Sequence, residues 1–196
     1  MSKLNLNLGC GDDLRKGFLN IDIEPNHTKP SDENSVVILS PGDEYLSSEL
    51  DSQTYFLQGD ITELDQLVGF GTADHIKALY VVEHIPVDKL YSMFWSWNRA
   101  LKMGGTIEIV VPDFEALIEY YQRDKSLTTF RVMVYELVSS LESTPHTACW
   151  TPEWLEHFLQ AEGFDVVKVD RKVGARDLGF RVEAVKVSTT SGKEMP

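Results

Sequence analysis

The sequence predicts a three-layer α/β domain built on a mostly parallel sheet. Strand-like and helix-like segments alternate along most of the 196 residues, the pattern of strands joined by helical crossovers. A glycine-rich turn, Gly9-Cys10-Gly11, follows directly on the first strand-like run. Near the other end, a helix with a full set of end signals precedes two closing strands.

The alternating run Leu4-Asn5-Leu6-Asn7-Leu8 reads as a strand ending at Gly9. Phe18 to Ile23 forms a second strand after only a loop. Residues 26–52 are polar and broken by Pro30, Pro41 and Gly42, and their one apolar run, Val36-Val37-Ile38-Leu39, fits either an extra strand or a packed loop. Tyr55-Phe56-Leu57 is a third strand, turning at Gln58-Gly59-Asp60. A short helix over Glu63 to Val68 leads to a strand over Ile76 to Val82. Between Asp88 and Lys102, Leu90, Phe94, Trp97 and Leu101 recur at helical spacing and make one apolar stripe. Trp95 and Trp97 are assigned to the core with that helix. Met103-Gly104-Gly105 ends it, and the β-branched run Thr106 to Val111 reads as a strand buried on both faces. Helices are expected over Phe114 to Arg123 and Thr128 to Leu141. In residues 151–163, Thr151 caps the first amides, Pro152 suits the first turn and Gly163 suits a left-handed exit. Asp165 to Asp170 and Arg181 to Val187 complete the strands, giving a single domain over residues 1–187 and a disordered tail over 188–196.

Composition narrows the partners. Hydrophobic residues at 42% and charged residues at 25% are globular values. Against 18 basic residues stand 31 acidic ones, a formal charge of −13. Such a surface repels phosphate backbones and anionic lipid, so neither nucleic acid nor membrane is expected as a partner. No basic-then-apolar leader opens the sequence and no apolar run approaches a membrane span. Cys10 and Cys149 are too few for a disulfide scaffold or a zinc cluster. The expectation is a reduced, cytoplasmic protein with a small-molecule or protein partner and no metal.

In parallel sheets, ligands bind beyond the carboxyl ends of the strands. Four of those ends hold distinctive residues. Glycine at Gly9 and Gly11 permits a sharp turn and close approach of a ligand to the backbone. Asp22, closing the second strand, can accept hydrogen bonds from both hydroxyls of a ribose. Gly59-Asp60 places a carboxylate where an adenine amino group would lie, and Tyr80 to His84 close the fourth strand. Singly, each is commonplace: a Gly-x-Gly is usually a turn and a strand-end Asp is usually solvated. Their order along the chain is what favours an adenosine-containing cofactor.

Leu6-Asn7-Leu8-Gly9-Cys10-Gly11 followed by Phe18-Leu19-Asn20-Ile21-Asp22-Ile23 resembles the opening of class I S-adenosylmethionine-dependent methyltransferases. More narrowly, it resembles a small bacterial branch often found near glycosyltransferases. Gln58-Gly59-Asp60-Ile61-Thr62, Val82-Glu83-His84-Ile85-Pro86, Leu101 to Gly105, Val110 to Phe114 and Leu159 to Phe164 match the same pattern in the same order. The match runs over residues 4–187, with 26–52 unmatched. The resemblance implies a Rossmann-like seven-stranded sheet whose last strand is antiparallel. It also implies S-adenosylmethionine as cofactor: Gly9, Cys10 and Gly11 at the methionine part, Asp22 at the ribose, Asp60 with Ile61 at the adenine, and the Tyr80 backbone at the amino group, with Ile23 also among the cofactor-binding residues. One departure discriminates between cofactors. Only ten residues separate Gly11 from Asp22, against about 20 where a full crossover helix intervenes. The shortened first crossover leaves no helix amino terminus for a pyrophosphate, and S-adenosylmethionine carries none.

A hydroxyl acceptor calls for a general base. Glu83 and His84 beyond the fourth strand, Asp113 beyond the fifth and His146 ahead of the last helix are the candidates. His146 matches a histidine that often stands there in the resembling group, although His84 and Glu83 could equally order their loop. Trp150 and Tyr121 fall where an acceptor pocket is expected, and Cys10 reads as a small packing residue. The acceptor is a small molecule, sugar-related if the branch's neighbourhood is a guide. Two other readings stand beside this one: an inactive S-adenosylmethionine-binding protein, and an NAD or nucleotide-sugar enzyme on a related sheet.

Overall fold

The strands fall at Asn5–Leu8 (β1), Leu19–Asp22 (β2), Val36–Leu39 (β3), Thr54–Gln58 (β4), Ala73–Leu79 (β5), Leu101–Pro112 (β6), Phe164–Val173 (β7) and Gly179–Lys186 (β8) in a computed structural model that describes residues 3–24, 36–43, 50, 53–131, 146–174 and 177–189. They form one sheet in the order β3-β4-β2-β1-β5-β6-β8-β7. All pairings are parallel except the two made by β8, which runs antiparallel to both β6 and β7. The expected seven strands become eight because Val36–Leu39 pairs with β4 and forms an outer edge. Its Ile38 is 62% exposed, which explains why this run carries no clear burial signal. The antiparallel last strand is as expected.

Four helices are described: Leu64–Val68 (α1), Leu90–Ala100 (α2), Phe114–Asp124 (α3) and Pro152–Ala161 (α4). Residues 127–131 are also helical, and the rest of the helix expected over 128–141 lies outside the described residues. The end signals of α4 act as read: the Thr151 hydroxyl accepts from Trp154 N–H at 3.3 Å, and Gly163 has φ +81°. α2 ends at Ala100, earlier than its stripe suggests. Gly104, at φ +76°, opens a bulge through which Leu101 already pairs with Ala73. The buried Lys186 ammonium donates to Asn98 O at 2.6 Å and Leu101 O at 2.8 Å, answering carbonyls at the end of α2.

Packing differs between the two faces of the sheet. Leu6, Leu8, Leu19, Ile21, Ile76, Ala78, Ile107, Ile109, Val182 and Ala184 face a core shared with Phe94 and Trp97 of α2 and Leu155 and Leu159 of α4. The opposite face is polar: Asn5, His75, Thr106, Lys77 and Glu108 stand in register across β1, β5 and β6, followed by Glu183 and Lys168. Lys77 and Glu108 pair at 2.7 Å, and Arg181 reaches Glu108 at 3.2 Å. β6 is therefore buried on both faces only toward its carboxyl end, at Ile109, Val110 and Val111, and not at Thr106 and Glu108.

This asymmetry begins in the first connection. Residues 9–18 join β1 to the parallel β2 without a helix, close to the shortest span such a crossover allows. A loop lying on a sheet face brings backbone groups that need partners. Two asparagines supply them. Asn7 and Asn20, paired in register, are 2% and 0% exposed. Asn7 Nδ2 donates to Asp13 O at 2.7 Å and to Asn20 Oδ1 at 2.9 Å. Asn20 Oδ1 also accepts from Arg15 N–H at 2.7 Å, while its Nδ2 faces the carbonyls of Arg15, Phe18 and Tyr55. Asn5 Nδ2 adds a longer bond to Gly17 O at 3.4 Å. No helix in the described residues is long and apolar enough to cross a membrane.

Asn20→Asp keeps the shape but sets an acceptor against three carbonyls. A loss of about 3 kcal/mol is expected, from buried groups left without donors. Urea unfolding measures it, and a loss below about 1 kcal/mol would contradict the role given to this side chain.

Candidate cofactor cleft and acceptor-side cluster

Because β1, β2, β4 and β5 are parallel, their carboxyl ends meet at one edge. Hydrogen bonds join the loops there. Gly9 N–H and Cys10 N–H both donate to Ile21 O, at 2.8 and 3.3 Å, and Gly59 N–H donates to Asp22 O at 2.9 Å. Asp22 closes the arrangement: Oδ2 accepts from Gly11 N–H at 2.9 Å and Oδ1 from Glu24 N–H at 3.1 Å. Each carboxylate oxygen keeps a further lone pair, so the side chain is aimed and held while still able to accept from a ligand. Beside it Ile23 is 62% exposed, an apolar surface at the mouth of the cleft.

The two loop glycines have different reasons to be glycine. Both have positive φ, +57° at Gly9 and +48° at Gly11. A Cβ on Gly9 would stand 2.1 Å from Val81 Cγ2, whereas one on Gly11 would meet nothing within 4 Å. Gly9 therefore answers to packing against Val81, a contact within the Tyr80 to His84 segment that nothing local in the sequence signals. The open space lies at Gly11.

Asp60 caps the turn Ile61–Glu63, with Oδ1 accepting from Thr62 N–H at 2.9 Å and from the Thr62 hydroxyl at 2.8 Å. Ile61 is 6% exposed and lies in the core, where its carbonyl accepts from Trp97 Nε1 at 2.8 Å. Of the two isoleucines expected at the cofactor, only Ile23 presents a broad free surface. Tyr80 has φ +54°, a strained conformation of the kind that clusters at functional sites. Its hydroxyl lies against Gly174 and Gly179, where a Cβ on Gly174 would come within 1.7 Å. The ring thus points toward the β7–β8 connection, and the backbone is the part of Tyr80 that precedes the Val81–Gly9 contact.

The cleft is acidic. Cys10 is 5% exposed and its thiol is pushed up to about 12, by burial first and then by the charges of Asp22, Asp13 and Asp12. That thiol stays protonated and is no nucleophile. The same field opposes a phosphate and favours a cation.

Beyond β5, Glu83, His84 and His146 converge, with one ligand-type atom of each within 4.8 Å of the others. Glu83 is 1% exposed. The two imidazoles meet edge to face with centroids 4.6 Å apart. Thr147 makes this possible across a long stretch of sequence. Its N–H donates to Glu83 O at 2.7 Å and its hydroxyl to Ile85 O at 2.6 Å.

Asp113 does not join them. It is 1% exposed, caps α3 through Glu115 N–H and Ala116 N–H at 3.1 and 3.2 Å, and pairs with Arg171 Nε at 3.0 Å. A carboxylate so held serves the fold. Trp97 is core as expected, but Trp95 is half-buried beneath the Arg99 guanidinium, 4.2 Å from its ring. Trp150 is 2% exposed and, with Val87, Ala148 and Trp154, walls an apolar cavity of about 200 Å³ next to Thr147. Tyr121 packs on Phe130. Ser188 is tied to Asn98 Nδ2 through its carbonyl at 2.9 Å; residues 190–196 of the expected tail lie outside the described residues.

No protein-family model matches the sequence, and no curated protein matches it. Solved structures do. A SAM-dependent methyltransferase from Methanosarcina mazei superposes with a TM-score of 0.63 at 15% identity, covering 95% of this chain and 93% of that one. Another from Archaeoglobus fulgidus gives 0.60 at 16% identity, over 94% and 86%. A third, from Mesorhizobium loti, gives 0.59 at 11%, over 94% and 91%. These likenesses establish a Rossmann-like fold of the kind those proteins share.

A thiol reagent such as Ellman's is expected to titrate one cysteine in the native protein, the exposed Cys149, and two after denaturation. Rapid native modification of Cys10 would contradict the protonated, shielded thiol described above.

Proposed function

We propose that the chain is an S-adenosylmethionine-dependent methyltransferase acting on a small-molecule acceptor. The observation that carries this reading is the Asp22 carboxylate, held by Gly11 N–H at the end of β2 in an acidic loop with no helix behind it. A carboxylate there suits a ribose diol. The missing helix terminus and the neighbouring Asp12 and Asp13 disfavour a pyrophosphate while suiting a sulfonium and an ammonium. This argues against the NAD or nucleotide-sugar alternative. The structural neighbours described as SAM-dependent methyltransferases add support through the fold they share with this chain.

The residues present fit the cofactor. The space beside Gly11 would admit its methionine part, Asp22 would accept from the ribose with Ile23 beside it, and Asp60 would stand at the adenine, with Ile61 behind it in the core. When bound, the cofactor supplies a methyl group on a positively charged sulfur, open to in-line displacement by an aligned nucleophile. The chain's task on the other side is to position an acceptor hydroxyl and take its proton. Glu83 and His84, just beyond β5, and His146 on the segment facing them are the candidates for that work. An acceptor of sugar-related chemistry rests on the resemblance of the sequence blocks alone. The same resemblance underlies membership of the small bacterial branch.

Calorimetry is expected to give micromolar binding of S-adenosylmethionine and of its demethylated product. Asp22→Ala should weaken it about 30-fold or more, since hydrogen bonds to a charged group are lost; circular dichroism checks that the fold survives. Gly9 is a poorer probe because Val81 constrains it. Heat with NAD and none with either sulfur ligand would overturn the assignment. Donor binding without methyl transfer to any component of a cell extract would favour the inactive reading.

A further inference from the structure

We infer that Glu83, His84 and His146 form a binding site for one divalent transition-metal ion. The spacing in sequence gives no hint of it, since two ligands are adjacent and the third is remote, and the expectation of no metal came from counting cysteines. The structure brings together two imidazoles and a carboxylate, the donor set that suits zinc, iron(II) or cobalt(II).

Three features support a built site. The donors come from two segments fixed to each other by backbone bonds. Thr147 and Ala148 N–H both donate to Glu83 O, at 2.7 and 3.2 Å, and the Thr147 hydroxyl donates to Ile85 O. His146 is thus set opposite His84 by the strap that follows it. The donor atoms already lie within 4.8 Å of one another. An ion bonded at about 2.1 Å to each needs them about 3.4 Å apart, a change within the reach of small side-chain rotations. Finally, Glu83 is 1% exposed, so its carboxylate is held within the fold facing the two imidazoles.

Three protein ligands leave at least one coordination position open, the arrangement of catalytic rather than structural metal sites. The cluster stands at the carboxyl end of β5, two residues beyond the Val81–Gly9 contact. With all three side chains on the ion none would serve as a free base; an acceptor oxygen on the ion would instead release its proton to solvent more readily and be held beside the proposed cofactor cleft. That role rests on the methyltransferase reading; the ion site itself does not. The acceptor class it selects is one with a hydroxyl or phenol able to bind a metal.

Cobalt(II) is a suitable probe because its visible absorption reports coordination. Titration of the metal-stripped protein is expected to reach one equivalent with a micromolar Kd and a ligand-field band. His146→Ala and His84→Ala, made separately, should each weaken binding about 10-fold or more, with thermal melting and calorimetry against the demethylated cofactor as controls. Both side chains are only partly buried, so the fold should tolerate either change. Unchanged cofactor affinity alongside lost cobalt binding supports the site. No saturable cobalt binding by the native protein, or binding unaltered in both variants, overturns it. Cobalt binding without any cofactor binding would keep the ion site and remove the methyltransferase reading.

Discussion

The structure depends on a pair of amides buried in the first two strands. Asn7 and Asn20 stand where a parallel sheet ordinarily presents aliphatic side chains to a crossover helix. Their hydrogen bonds to Asp13, Arg15 and Phe18 let a bare loop cover that face. An apolar pair would leave the loop's peptide groups buried without partners, at a cost of about 1 to 3 kcal/mol each. The short connection is therefore a built element, and the shape of the candidate cleft beside it follows from it. The loop turns back on itself at Gly11, and Asp22 locks it there.

The same choice governs the electrostatics. A helix after the glycine turn would point its positive end at the ligand and invite a phosphate. In its place lie Asp12 and Asp13, whose charges act with Asp22 on the Cys10 thiol. A parallel sheet with a glycine turn and a strand-end aspartate is common to several cofactor classes. What separates them here is the sign of the field in the loop.

Much of this was legible in the sequence, for physical reasons that differ by element. The order Gly9, Asp22, Asp60, Tyr80 is readable because parallel strands bring every carboxyl end to one edge. Helix α4 is readable because Thr151, Pro152 and Gly163 are local signals. The edge strand β3 was ambiguous because its half-exposed side chains carry no periodicity. Asp113 looked like a catalytic candidate because its partner Arg171 is distant in sequence and tied to it only by the return of β7. Likewise nothing local ties His146 to His84. That pairing exists through Thr147 and the turn after β5, and only the fold displays it.

We propose that the helix-less acidic loop and the three strand ends beside it receive S-adenosylmethionine. Hydrogen–deuterium exchange with and without the demethylated cofactor tests this most directly, because it maps the binding surface. Slower exchange confined to residues 9–12, 22–24, 60–62 and 80–84 is the expected result. An unchanged pattern at those four segments under saturating ligand, or protection elsewhere on the sheet, would contradict the account.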